Sequence, residues 1–489
     1  MTKKNGYELS YQATQNKGRR QAPATRTKSE DIVLRSSERR KLLATARDQS
    51  RNMSIAGWML RRHLDYVSKF EPLVKTNNEQ LDRWLDKELK RHGKKKNFDV
   101  AGRHSRNSMM RLFEGLKTLD GDAALLKVDG SKLQGIEGDR IAKPNDLPKD
   151  LSDIVGPHGL VVDSFTGATT QYCVCTRDDT GGTMLKYANM YASDSVVFDG
   201  YFTRFDQTRG ISPLASVINP TADLYEAMEF TQLKIKLHAL MGIQINRETS
   251  SEASDGFPST ESLDYDTDAE GTQTTENTYE MSMNGLSVFD MEPGESVNTI
   301  ESGTPSEEFQ NWTDRTLRQI LLALDIPYSA LAGDQSNFSA RIADREEYEK
   351  SSAEKRQRNC EVLEDVYDWV LRDWYEAQPQ FRRLVESAGL TIDDVVESIQ
   401  WVGSGTPWLD KLKEVSGDAL SVYNGFESRQ EVCKRHGKDY FEVVDKLKEE
   451  QEYAEAAGVL LAMGQPGQQT IEQIISDSND TPTEAVTDE

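Results

Sequence analysis

Two helix starts bracket a stretch of chain that has no means of building a core. The first is Asn219-Pro220, with Asn at the cap and Pro at the first helical position. The second is Thr304-Pro305, where Thr304 and Glu307 have capping-box spacing. Between them, the segment from Arg247 to Asn284 loses helical periodicity and reads SSEASDGFPSTESLDYDTDAEGTQTTENTY over most of its length. From Asn246 to Glu308 there are sixteen Asp or Glu residues against one Arg, a net −15. Such a segment lacks the apolar side chains that offset the entropy of ordering. Any fold must hold the two helices and expel what lies between them. The first helix can run from Asn219 to about Gly242, roughly 33 Å at 1.5 Å per residue. The second must stop before Pro327.

Charge is segregated along the rest of the chain too. The whole sequence of 489 residues carries −23, which argues against a surface that grips nucleic acid everywhere. Yet Lys17 to Arg62 holds thirteen Lys or Arg against four acids, and Glu449 to Glu489 holds no Lys or Arg. One chain thus has a basic arm, an acidic middle insertion and an acidic tail. No apolar run is long enough to span a membrane, and the N-terminus MTKKNGYELSYQ has no apolar signal region. The four cysteines are too few for a disulfide framework, which implies synthesis in a reducing cytosol.

Residues up to about Ser29 read as disordered. Helical periodicity then runs from Ser36 in two pieces that break near Ser54, and again from Asn78, a cap placed before the stripe Leu81, Trp84, Leu85 and Leu89. A strand is expected near Ala123 to Val128. GLVVDSFTGATTQYCVCTR reads as strand, turn, strand, and DSVVFDGY as another strand. After Pro327 comes a loop through Ser339, a long helix from about Ala340 to Ala377, and a last helical module broken at Asn424-Gly425 and His436-Gly437. The fold class is α+β, mostly helical.

No catalytic signature appears. There is no GxxxxGK[ST], HExxH, CxxC or GxSxG, and the six histidines fall in no ligand spacing. Cys173 and Cys175 point to one face of a strand, where packing in the core is the simplest role. The stretch from Asp266 resembles a calcium loop, with Asp266, Asp268 and Glu270 at its first, third and fifth positions and Gly271 at its sixth. Its twelfth position is Asn277 instead of a bidentate Glu, so a solvated acidic loop is the plainer reading. No cofactor or metal is implied, and no enzyme.

The order of landmarks is more telling. GLVVDSFTGATTQYCV, ASDSVVFDGYFTRFDQTRGISPLASVI, VFDMEPGESV, IPYSALAGDQSNFSARIADREEYE and NGFESRQEVCKRHGKDYFEVVDKLKEEQEYAEAAGV follow one another, after an early RDQSRNMSIAGWMLRRHLDYV. This resembles the lambda-type family of tailed-bacteriophage portal proteins over most of Arg47 to Val459. PWLDKLKE only approximates the family's Pro-Xaa-Lys-Glu run, and the acidic insertion matches nothing specific.

The resemblance implies a ring, usually a dodecamer, at one capsid vertex. It forms the channel for packaging and ejecting duplex DNA, and the docking site for the large terminase subunit and the head–tail adaptor. Major capsid or scaffold protein would be a further partner, with no membrane. The protein would be made in the host bacterial cytoplasm and would reside in the virion. The subunit implied has a basic, largely disordered arm (1–40), a wing (41–218), a first stem helix (219–245), an acidic clip (246–303) and a second stem helix (304–326). A channel loop and long wing helix (327–400), a helical crown (401–462) and an acidic disordered tail (463–489) complete it.

On that resemblance, Asp334, Gln335, Ser336, Asn337 and Phe338 would form the DNA-channel loop. Lys234, Lys236, Arg315 and Arg318 would touch DNA or pair with acids on a neighbouring stem. Arg204 and Arg209 would tie wing to stem. Asp264, Asp266, Asp268 and Glu270 would mark the acidic clip. Two other readings remain open at this level: a monomeric adaptor or scaffold protein of a phage particle, without catalysis, and a metal-dependent nuclease of a mobile element.

Overall fold

The computed structural model describes residues 29–177, 184–240, 281–283, 286–288, 306–332, 338–403 and 411–458. The basic arm before Ser29, most of the acidic insertion with Asp264, Asp266, Asp268 and Glu270, the loop residues Asp334 to Asn337 and the acidic tail lie outside them. The chain divides into two compact units. Val217–Ile320 is one; Met1–Ser216 together with Leu321–Glu489 is the other.

The larger unit opens with α1 (Glu30–Val33), α2 (Ser36–Asn52) and α3 (Ser54–Val67). The break falls at Met53, whose extended backbone ends α2 and begins α3. Then come β1 (Phe70–Val74), α4 (Glu79–His92), α5 (Lys95–Phe98) and α6 (Arg106–Asp120). Asn78 caps α4 as expected, its side chain accepting from the Leu81 N–H, and Leu81, Leu85 and Leu89 are fully buried. Trp84, one position off that stripe, stays half-buried and stacks on Phe381.

Next are β2 (Asp122–Val128), β3 (Lys132–Glu137), α7 (Lys149–Ser152), β4 (Leu160–Val162), β5 (Thr169–Arg177), β6 (Leu185–Ala192) and β7 (Val196–Gly200). They make two antiparallel three-stranded sheets, ordered β3-β2-β7 and β4-β5-β6. Side chains alternate across a strand, so β2 serves two cores. Ala123 and Leu125 face the main helical core, while Ala124 and Leu126 join Ile141, Leu160, Tyr172 and Val174 in a second core against the other sheet.

The smaller unit holds α8 (Ile218–Leu240), the short hairpin of β8 (Met281–Met283) and β9 (Leu286–Val288), and α9 (Glu307–Leu321) up to Ile320. Both helix starts differ from the sequence expectation by a residue or two. A 3-10 turn, Pro213–Ser216, feeds α8, and the Thr221 N–H already donates to Val217 O at 2.9 Å. Asn219 and Pro220 therefore sit inside the first turn, where a missing N–H costs nothing because first-turn N–H groups have no helical acceptor. At α9 the cap is Ser306, whose hydroxyl accepts from the Phe309 N–H at 3.2 Å.

The chain re-enters the larger unit at Leu321. A 3-10 turn, Leu322–Leu324, ends at Asp325 in the left-handed conformation (φ 58°), short of Pro327. Phe338 opens α10 (Phe338–Ala377), followed by α11 (Pro379–Ser387), α12 (Ile392–Glu397) and β10 (Ile399–Gly403). One side of α10 supplies Leu363, Val366, Tyr367, Val370 and Trp374 to the main core. Here the sequence reading needs correction. Trp401, taken as the start of the terminal helical module, lies in β10, which pairs antiparallel with β1 (Pro72↔Trp401), and its ring is buried in the main core. The terminal helices α13 (Lys411–Tyr423), α14 (Arg429–Arg435) and α15 (Tyr440–Ala457) break where expected, with Gly425 and Gly437 at positive φ. Among the described residues no helix is long and apolar enough to cross a membrane.

Candidate functional site

The joint between β7 and α8 was singled out from the sequence, and it is built around a buried ion pair. Asp122 opens β2 and is fully buried; Arg209 is 3% exposed. Arg209 donates Nε to Asp122 Oδ2 (2.8 Å) and Nη2 to Asp122 Oδ1 (2.7 Å). It also donates Nη2 to Gly138 O (2.6 Å), and Nη1 to Ile141 O (2.6 Å) and His158 O (2.8 Å). Every one of the five guanidinium N–H groups thus has an acceptor. Arg39 on α2 adds Nη2 to Asp122 Oδ1 at 2.9 Å, and the Gly210 N–H donates to Asp122 Oδ2 at 2.9 Å.

Burial alone would raise the Asp122 pKa. The guanidiniums of Arg209 and Arg39 outweigh it and hold the carboxyl below the usual range. Burial, with Arg209 alongside, pushes Arg39 down to about 10. Arg209 bonds within the larger unit. All its partners lie in the α+β block, and it locks the turn inward before the chain reaches α8. Arg204 is exposed and meets Glu30 at 3.6 Å and Asp206 at 3.5 Å.

Backbone packing makes the lock tight. A Cβ on Gly210 would stand 2.0 Å from Gly121 O, and one on Gly121 (φ 93°) 2.3 Å from Gly210 O. Only glycine at both positions lets these backbones pass. The N-terminal helix closes over the turn: Asp31 accepts from the Thr208 N–H (3.2 Å) and hydroxyl (2.7 Å).

A second buried network stands beside the first. Glu114 on α6 is fully buried. It meets His63 Nε2 at 2.9 Å, accepts from the Tyr201 hydroxyl at 2.6 Å, and pairs with Lys117 Nζ at 2.8 Å. Lys117 also reaches Asp199 (2.7 Å) and Asn359 on α10 (3.0 Å), and Asn359 donates to Val67 O. Burial opposes both charges, but each overcomes it through the other. Glu114 is held well below the ordinary carboxylate range by Lys117 and His63, and Lys117 is raised by Glu114 and Asp199. Helices α3, α6 and α10 and strand β7 are thereby joined by hydrogen bonds as well as by packing.

The return of the chain is fixed in the same unit. Asp325 Oδ2 accepts from Ser351 Oγ (2.6 Å) and Lys355 Nζ (2.8 Å) on α10. These three, with Tyr201, Pro213, Leu324, Glu354 and Arg358, line a cleft of about 250 Å³. The exit turn Pro213–Ser216 and the return turn Leu322–Leu324 pack on each other. Sequence reasoning named Arg209 and missed Asp122, Glu114, Lys117 and Asp325. Charged side chains at Glu114 and Lys117 on an otherwise apolar helix stripe were the signal available.

Other nominated residues lie on α8, α9 and β5. Lys234 and Lys236 on α8 and Arg315 and Arg318 on α9 are exposed. Cys173 and Cys175 pack with Val155 in a small core, and Cys175 donates to Ala142 O. Among the described residues no group of three or more His, Cys, Asp or Glu is placed to hold a metal ion.

The fold and the joint define a mostly helical α+β subunit whose polypeptide leaves and re-enters one charge-locked block. The chain belongs to the lambda family of phage portal proteins, whose family model matches residues 16–354, and its function is that of a portal or head–tail connector. The family is a structural one. No curated protein matches the chain. Among solved structures it is similar to a chain of the virion of a native gene transfer agent particle, at 14% identity over 82% of this chain and 93% of that one, TM-score 0.38. It is also similar to chains of the neck of the empty particle computed with C6 symmetry (12%, 82% and 94%, 0.39) and of the native neck computed with C12 symmetry (13%, 82% and 94%, 0.40).

Proposed function

We propose that this chain assembles into a ring, a dodecamer at one capsid vertex, that conducts duplex DNA in packaging and ejection and has no catalysis of its own. The observation that carries the ring is the state of α8. From Glu229 to Lys236 its side chains are exposed or half-exposed, including Phe230 (62%), Leu233 (60%) and Ile235 (43%). A helix this apolar is stable in water only when something covers it, and in a closed ring the neighbouring copy does so. Lys234, Lys236, Arg315 and Arg318 then pair with acids on the adjacent copy.

In this reading residues 219–245 and 304–326 are stem and 246–303 is an acidic clip. The net −15 from Asn246 to Glu308, which includes Asp264, Asp266, Asp268 and Glu270, repeats around the ring as a negative collar. Each phosphate neutralised by a cation strengthens DNA binding, so a collar with a single cation per chain leaves DNA free to slide, or draws a basic docking partner. The loop Asp334 to Phe338 faces the DNA through Gln335, Ser336 and Asn337 without reading sequence. The large terminase subunit and then the head–tail adaptor dock on the ring, and capsid or scaffold protein surrounds it in the virion.

Single-particle electron microscopy of the purified protein, with native mass, tests this. Rings with a hole wide enough for duplex DNA are expected. A chain that stays monomeric with scaffold protein present is an adaptor instead. Neutralising the four named acids should slow packaging or weaken docking; no change in either would remove the collar's role.

A further inference from the structure

Helices α2 and α3 carry exposed cations that have no carboxylate partner among the described residues. They are Arg40, Lys41, Arg51, Arg61 and Arg62. Of the nearby acids, Asp65 pairs with Arg111 at 3.0 Å, whereas Glu38 and Asp48 accept from the neutral Arg35 N–H and Asn52 amide, so the five cations outnumber the two acids left without a cation. Exposed cations on α4 behave differently: Arg83, Lys90 and Arg91 each sit on an acid of their own helix.

Two of them share one side of α2, and two more lie on α3, which follows it directly. Arg40 and Arg51 are eleven residues apart, three turns on one side of α2, about 16 Å. Arg51 Nε donates to Arg47 O, which leaves the rest of its guanidinium to solvent. Arg61 lies at the α2–α3 crossing: a Cβ on Gly57 would be 3.3 Å from its Nη1 and 2.8 Å from Ser50 O. Arg62 stacks over Trp58 at 5.8 Å.

We propose that these cations form a docking surface for the phosphate backbone of duplex DNA, separate from any channel. Duplex DNA offers one charge per about 1.7 Å, so cations spread over about 16 Å meet phosphates without matched spacing. Contacts to a phosphate backbone need no cavity. A net charge of −23 repels DNA from the molecule as a whole, so binding that survives must come from a local patch. This inference goes beyond the ring and does not depend on it.

The test uses the full-length protein and relaxed, covalently closed circular duplex, which has no end to thread through a ring. Binding at 50 mM salt is expected, weakening with a log–log salt slope of about −3 to −4. The variant Arg40→Glu/Arg51→Glu/Arg61→Glu should lose at least about tenfold in affinity. The variant Arg83→Glu/Lys87→Glu/Lys90→Glu makes the same charge change on α4 and should bind as the unaltered protein does. Circular dichroism melts confirm that both fold. Absence of binding by the unaltered protein, or equal loss in both variants, overturns the proposal. Polyglutamate that binds the unaltered protein more tightly than the duplex does at equal charge, and loses that advantage in the Arg40→Glu/Arg51→Glu/Arg61→Glu variant, overturns it too and assigns the surface to an acidic protein. Ring formation, read separately by microscopy, stands or falls on its own.

Discussion

Arg209 and Asp122 form a two-point ion pair in which the carboxylate has no exposure and the guanidinium has no N–H left without an acceptor. The pair fixes the turn Arg204 to Gly210 within the larger unit, just before the chain enters α8. Arg209→Met should destabilise the larger unit by about 3–5 kcal/mol, since one buried charge is left with fewer partners. Arg209→Lys should recover only part of this, because an ammonium has no fork. Thermal melts of the two variants measure it; a melting temperature unchanged for Arg209→Met would show that Arg39 alone suffices for Asp122.

Acid should loosen the second network. Burial opposes the Glu114 carboxylate, but Lys117 and His63 keep its folded-state pKa well below the ordinary glutamate value. Its stabilising contribution is therefore fully present above the unfolded pKa, about 4.3, and is lost as pH falls below it. Glu114→Gln should melt lower than the unaltered protein at pH 7, and the gap should narrow as the pH is lowered below about 4. A gap that is constant with pH would mean the loss is one of packing.

Gly210→Ala tests the backbone crossing. Its Cβ would stand 2.0 Å from Gly121 O, which is backbone and has no rotamer to move. Destabilisation of at least about 1–3 kcal/mol is expected, with increased hydrogen exchange from Tyr201 to Ser212. Normal protection of those amides would show that the turn accommodates a methyl group.

Assembly and folding should separate at Leu233. Its side chain is 60% exposed, so Leu233→Glu should leave the monomer's melting temperature within about 1 °C of normal, as surface changes usually do. The same change should reduce rings in electron micrographs, because a charge would enter the contact between copies. Undiminished rings would place Leu233 outside that contact.

Thiol chemistry should report burial. Cys173, Cys175 and Cys360 are buried and Cys433 is half-buried. Burial raises the Cys360 thiol to about 12, and Cys433 is raised less strongly by the same cause. A thiol reagent should modify one cysteine ahead of the other three in native protein and all four after denaturation. Mass mapping of the first adduct to a residue other than Cys433 would contradict this packing.

Local rules made much of this protein legible. The cap at Asn78, the break near Ser54, the Gly425 and Gly437 interruptions and the hairpin after Gly159 depend on a few adjacent residues, and the structure keeps them. Helix starts moved where a neighbouring turn supplied the geometry, as the 3-10 turn before α8 did. Strand β1 was missed because its partner among the described residues, β10, lies more than three hundred residues away in the chain. Five residues of moderate β propensity give no sign of such a partner.

Sequence by itself determined the helical periods, the segregation of charge and the order of landmarks that marks the family. Those properties rest on composition and on spacings of a few residues. The tertiary structure alone decided that Arg209 turns inward to Asp122, that Glu114 and Lys117 meet His63, Tyr201 and Asn359, and that Trp401 closes the main core. Each of those joins residues dozens to hundreds of positions apart. A buried charge is tolerable only when the whole fold delivers its partners to it, and no local pattern records that delivery.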